Sequence, residues 1–163
     1  MMKKFIILFF ITLFSCDPSF DGIILLNDEK DNLIKNAMVK NYPQGIFSGN
    51  MMNALSDDVE VFYSTETYKG KEKLVSTWKE DHSYFKNIVV EDFESMTTYN
   101  KDKTYTTYTK FNWTATGIFS NDIYSIPCVF NYTWKNDEIV RVNIFFDDLP
   151  YINEYRAYYT RDE

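Results

Sequence analysis

Three stretches in the second half of the chain alternate apolar and polar residues with a period of two. Only a strand with one face buried satisfies that pattern. Over Tyr105 to Gly117, Tyr105, Phe111, Trp113 and Ala115 share one face, while Lys110, Asn112, Thr114 and Thr116 take the other. Cys128, Phe130, Tyr132 and Trp134 alternate with Val129, Asn131 and Thr133. Asn136-Asp137 is a turn signal that joins this stretch as a hairpin to Ile139 to Phe146, where Val140, Val142, Ile144 and Phe146 oppose Arg141 and Asn143. Ile88 to Met96 and Val59 to Tyr63 are further strand candidates.

The first half reads differently. Asp28 is a candidate N-cap, and Leu33, Ile34, Ala37, Met38 and Tyr42 then recur at helical spacing until Pro43 ends the run. Ile46, Phe47, Met51, Ala54 and Leu55 continue a helical stripe, broken at Gly49-Asn50. From Lys71 to Phe85, the positions Leu74, Val75, Trp78, His82 and Phe85 form one helical face. Helices first and antiparallel strands after make an α+β plan. The expected architecture is a cone-shaped half-barrel: a curled, mostly antiparallel sheet covered by about three N-terminal helices.

The N-terminus carries an address. Lys3 and Lys4 precede ten apolar-rich residues, Phe5 to Phe14, and Leu13-Phe14-Ser15-Cys16 closes the segment. Such a run is half the ~20 residues a membrane-spanning helix needs and fits a signal peptide. Its end resembles a bacterial lipobox, which implies cleavage before Cys16 and lipidation of that cysteine. Residues 1–15 are then signal peptide, 16–28 lipidated cysteine and tether, and 29–163 one domain. The tether's Ile23-Ile24-Leu25-Leu26 is too apolar for a free linker and is expected to pack on the domain. Removing Lys3 and Lys4 leaves 15 basic against 24 acidic residues, a net charge of −9. That charge repels nucleic acid and anionic membrane surfaces, so attachment rests on the lipid, and no nucleic-acid partner is expected. With the Cys16 sulfur acylated, Cys128 has no partner, and it reads as a small core hydrophobe. One His and no cysteine cluster argue against a zinc site, and no metal or cofactor is implied.

Ser48-Gly49-Asn50 leading through Met51–Leu55 to Ser56-Asp57-Asp58-Val59, then Tyr68-Lys69-Gly70-Lys71-Glu72, then Glu138-Ile139-Val140 through Phe145-Phe146-Asp147, resemble in order and spacing the SnoaL-like branch of the nuclear-transport-factor-2-like superfamily. The resemblance spans about residues 29 to 150. It implies a cone-shaped barrel with a pocket between helices and sheet, and often a homodimer through the open sheet face. Members include isomerases, hydrolases, cyclases and proteins without chemistry. Carried over residue by residue, one family acid position falls on Ile144, and the other falls near Phe62 or Tyr63, so neither holds a carboxylate.

Met51, Trp78, His82, Trp113, Phe130 and Ile144 are the candidate pocket residues. His82, one turn from Trp78, reads either as pocket-lining or as a boundary His with an exposed edge; desolvation is expected to lower its pKa. Asp81 and Glu80 are expected to point elsewhere on the helix. The favoured function is an envelope lipoprotein, facing the periplasm or the cell exterior, that binds an apolar small molecule or a partner without catalysis. The alternatives are an isomerase or hydrolase using His82 as base, and a structural or oligomerisation subunit of an envelope complex. The polar outer sheet face predicts a monomer or a weak homodimer.

Overall fold

The computed structural model describes residues 23–25, 28–40, 42–47, 49–63 and 66–160. The signal segment, Cys16 and Ser48 lie outside the described residues. The elements are β1 (Ile23–Leu25), α1 (Glu29–Lys35) running into a π-helical segment (Asn36–Lys40), α2 (Gln44–Phe47), α3 (Gly49–Ala54), β2 (Leu55–Tyr63), β3 (Glu66–Lys69), α4 (Lys71–Ser83), β4 (Phe85–Tyr99), β5 (Tyr105–Gly117), β6 (Ile123–Lys135), β7 (Glu138–Phe145) and α5 (Leu149–Thr160).

The strands form one seven-stranded sheet in the order β1-β4-β5-β6-β7-β2-β3. Every pairing is antiparallel except β2 with β7. The sheet is curled and open, and the N-terminal helices cover its concave face. The fold is therefore α+β of the cone type. Its curl has a local cause in β4, where register shifts fall between Lys86 and Val89 and between Glu91 and Glu94. Asn87 and Asp92, inside those shifts, adopt left-handed φ of 55° and 51°. Such bulges bend a strand and steepen its twist. The β6–β7 hairpin turns on Asn136 and Asp137, at φ 51° and 63°, as the two-residue turn requires.

The period-two faces sort as expected along β5 and β6. Phe111, Trp113 and Ala115, and Cys128, Tyr132 and Trp134, lie in the core. On β7 a register shift opposite Thr133 and Trp134 buries Ile139, Val142 and Ile144 and leaves Val140 only partly covered. Asp28 caps α1 by accepting from the Lys30 N–H at 2.9 Å. Gly70 opens α4 at φ +104°, a conformation that excludes a β-carbon on steric grounds.

Ile23–Leu25 packs on the domain as expected, and does so as the edge strand of the sheet, paired with Thr97–Tyr99. Two other features depart from expectation. The outer sheet face is less polar than its Lys110, Asn112, Thr114, Thr116, Asn131, Thr133, Arg141 and Asn143 imply. It also exposes Phe62, Val129 and Phe145, with Val129 and Phe145 directly cross-strand. The second is an added element, the C-terminal helix α5. Its periodicity is hidden because its two buried positions are Pro150 and a carboxylate, Glu154.

Candidate functional site

The turn between the π-helical segment and α2 supplies Tyr42, α4 supplies Trp78, Asp81 and His82, β2 supplies Tyr63, β5 to β7 supply Trp113, Phe130 and Ile144, and α5 supplies Tyr151. All but Asp81 line one small cavity of about 30 Å³. A water needs roughly 10–15 Å³ by the same kind of measure, and an apolar cavity that accepts benzene is nearer 150 Å³. In this conformation the cone is filled by its own rings.

Two hydrogen-bonded chains reach the cavity wall. In the first, the Trp113 indole N–H donates to the Tyr42 hydroxyl at 3.0 Å. The Tyr42 hydroxyl in turn donates to His82 Nε2, and His82 Nδ1 lies 2.6 Å from the Trp78 carbonyl oxygen. A carbonyl only accepts, so Nδ1 carries the proton and Nε2 is the acceptor. Burial lowers the His82 pKa, against a smaller upward pull from the Trp78 carbonyl, so the ring is neutral at pH 7. Both nitrogens are committed, and neither has a lone pair free for a substrate. Phe47 and Trp113 meet the imidazole edge-on, at 5.4 and 6.3 Å between ring centroids.

In the second chain, the Tyr63 hydroxyl donates to Asp81 Oδ2. Burial pushes the Asp81 carboxyl up to about 6, partly offset by the Tyr63 hydrogen bond. The same desolvation, reinforced by the Asp81 charge, raises the Tyr63 phenol far above its ordinary value. Asp81 thus points away from His82, as a neighbouring helical residue must, but toward Tyr63 rather than solvent. Parity along β2 marks Tyr63 as inward, because Val59 and Val61 are buried and Phe62 is 44% exposed. The helical stripe from Leu33 includes Tyr42, but nothing in the local sequence marks its partner, forty residues away.

Cys128 lines the same cavity, and burial pushes its thiol up to about 12, so it is a protonated core group. Among the described residues it is the free cysteine, and no group of three or more His, Cys, Asp or Glu side chains is placed to hold a metal ion. No helix among the described residues is long and apolar enough to cross a membrane.

The structure brings Trp78, His82, Trp113, Phe130 and Ile144 together around the cavity, with Ile144 fully buried. Met51 is not among them. It sits under a second, open hollow of about 540 Å³ between α1 and α3, rimmed by Asn32, Asn36, Gln44 and Asn50. Met51 follows Gly49 and Asn50 at the start of α3, and all three line that hollow.

With that geometry in view, the fold is that of SnoaL-like and nuclear-transport-factor-2-like proteins. A candidate polyketide cyclase from Xanthomonas campestris superposes with a TM-score of 0.60 at 14% identity, covering 76% of this chain and 93% of its own. A candidate isomerase from Bacillus subtilis gives 0.59 at 12% identity, covering 81% and 97%. A nuclear-transport-factor-2-like protein from Anabaena variabilis gives 0.53 at 18% identity, covering 76% and 95%. At these identities the likeness defines the fold alone. No protein-family model and no curated protein sequence matches the chain.

Proposed function

We propose that this chain is a bacterial envelope lipoprotein, held to a membrane through acylated Cys16, whose SnoaL-like domain binds a small apolar molecule without chemistry. The observation that carries the non-catalytic part is the commitment of His82. Its Nδ1–H is spent on the Trp78 carbonyl and its Nε2 on Tyr42, while Ile144 stands at one of the two positions where the family resemblance would put an acid. The aromatic lining suits a flat, uncharged ligand held by ring contact. Such a fold hosts many unrelated activities, so the site has to decide.

The anchor is tested by fractionation. Cys16→Ser is expected to release the domain from membranes or to block its processing, and the wild-type protein is expected to carry a lipid mass. Identical fractionation of the two proteins, with no lipid mass on the wild type, refutes it. Binding is tested by calorimetry with neutral planar probes; the absence of heat for every such probe at millimolar concentration refutes that half. In solution the domain is taken to be a monomer or weak homodimer, because the apolar group that Phe62, Val129 and Phe145 make on the sheet face is small and bordered by Asn131, Arg141 and Asn143. A dimer that persists at nanomolar concentration in light scattering contradicts this.

A second reading rests on the other hydrogen-bonded chain. A carboxyl held near 6 beside a cavity phenol is the kind of perturbed pair that serves acid–base work. It favours an isomerase or hydrolase, in line with the isomerase that the similar Bacillus protein is named for, but with Tyr63 and Asp81 as the working groups in place of His82. Loss of turnover in Asp81→Asn, on any substrate the protein is found to convert, is its signature.

A further inference from the structure

We infer that the Tyr151 ring occupies the place of the ligand, that α5 is the plug carrying it, and that the ligand is a neutral planar ring compound of the phenol type. This inference rests on the binding reading above and gives it a ligand class and an entry route.

The argument begins with what fills the cone. Tyr151 lies nearly parallel on the Trp113 indole, 26° between planes and 5.9 Å between centroids. Phe85 meets it edge-on at 5.0 Å, and Phe146 flanks it at 5.5 Å. One stacking partner and two flanking edges form a slot shaped for a single flat ring. The wall beside that slot presents two phenols, Tyr42 and Tyr63, and the Cys128 thiol, with the Asp81 carboxylate behind Tyr63. Their protons are already given, Tyr42 to His82, Tyr63 to Asp81 and Cys128 to the Ile126 carbonyl, so the wall offers acceptors backed by a negative charge: a ring with a hydroxyl is accommodated and a ring with a carboxylate is repelled. With Tyr151 in the slot, only about 30 Å³ is left, too little for any ring.

The second part of the argument is how loosely the plug is built. Of the twelve residues of α5, only Pro150 and Glu154 are buried; Leu149, Ile152, Tyr155, Tyr158 and Tyr159 are exposed. The helix is not held by an apolar face. Its buried hold is one latch, in which the Glu154 carboxylate accepts from the Phe119 N–H at 2.9 Å, the Ser120 N–H at 3.4 Å, the Tyr124 hydroxyl at 3.0 Å and the Ser120 hydroxyl, and two ring contacts at its outer side add to it, Tyr155 with Tyr84 at 6.5 Å and Tyr158 with Phe119 at 4.9 Å. All four donors belong to the β5–β6 connection or the start of β6. A helix joined to the domain by one polar clasp, one inserted ring and two ring contacts made by exposed tyrosines can leave as a unit, while the sheet keeps its pairings.

The test uses the full chain carrying Cys16→Ser, with 2-naphthol as the neutral planar probe and 2-naphthoate as its charged counterpart. Calorimetry is expected to give Tyr151→Ala an affinity for 2-naphthol at least ten-fold above wild type, with 2-naphthoate at least ten-fold weaker on the same variant. Hydrogen exchange on the wild type is expected to show residues 149–160 exchanging faster when 2-naphthol is bound, with β4 to β7 unchanged. If Tyr151→Ala does not fold, Glu154→Gln replaces it, and loosening the latch is expected to raise 2-naphthol affinity several-fold. Wild-type binding with α5 protection unchanged overturns the plug while leaving the binding function standing. A folded Tyr151→Ala that binds neither probe overturns both.

Discussion

Gly117→Ala isolates the latch with one methyl group. Gly117 is the last residue of β5, opposite Phe85, and its N–H donates to the Asp122 carbonyl at 2.9 Å. Its backbone does not need glycine's freedom; what needs glycine is the space. A β-carbon there would stand 2.0 Å from Glu154 Oε1, 2.3 Å from Cδ and 2.7 Å from Oε2. The carboxylate must swing out and give up its four donors. Hydrogen bonds to a charged group contribute about 1.5–3 kcal/mol each when buried. Here the freed carboxylate and the turn amides recover water, so the net cost is roughly 2–4 kcal/mol. At about 3 °C per kcal/mol for a domain of this size, the melting temperature falls by roughly 6–12 °C.

A double-mutant cycle supplies the decisive comparison. In a Glu154→Ala background the added methyl meets no carboxylate, and its cost should shrink to within about 0.5 kcal/mol of zero. The acid limb gives an independent check. Burial pushes the Glu154 carboxyl up, but the Ser120 hydroxyl, the Phe119 N–H, the Tyr124 hydroxyl and the Ser120 N–H together hold it below its ordinary 4.5. A lowered carboxyl contributes stability that is full above 4.5 and lost as pH falls through the folded value. That part of the acid transition should flatten in Gly117→Ala. Urea unfolding at several pH values reads both effects. An equal cost in the two backgrounds, or a cost under about 0.5 kcal/mol in the wild type, refutes the steric reasoning.

Asp81→Asn should stabilise the domain at pH 7 by roughly 1–3 kcal/mol, because the amide oxygen still accepts from Tyr63 without a desolvated charge. A carboxyl raised from 3.8 to about 6 contributes stability that is full below 3.8 and lost as pH rises through 6, so the gain should vanish near pH 4; a gain independent of pH contradicts this. The His82 ring should show no protonation above its ordinary 6.5 by NMR, with Nδ1 as the protonated nitrogen. The stability due to its neutral form is full above 6.5 and lost as pH falls through the lower folded value, and a measured pKa above 6.5 would point to a charged partner that the structure does not contain. Ile144→Asp, which puts an unpaired carboxylate at a fully buried position, should cost at least about 4 kcal/mol in chemical unfolding; a cost below 2 would mean the site is already wet.

Local periodicity was enough to place most of the scaffold. The faces of β5 and β6, the Asn136-Asp137 hairpin, the Asp28 cap and the helical stripe through Leu74 and Trp78 are each written within a few residues, because strand and helix geometry repeat every two and 3.6 positions. Three things were not written locally. Bulges at Asn87 and Asp92 curl the sheet, and their cause is a register mismatch with β5. α5 is buried through a carboxylate, so a search for apolar recurrence passes over it. The pairings of Tyr42 with His82 and of Tyr63 with Asp81 join residues far apart in the chain. Met51 shows the same limit from the other side: its period made it a core residue, and only the path of the chain through Gly49 decided which hollow it faces. Composition and spacing determine which side chains leave water. What they meet when they do is decided by tertiary packing, since a hydrogen bond or a stacked ring depends on distances that no local repeat encodes.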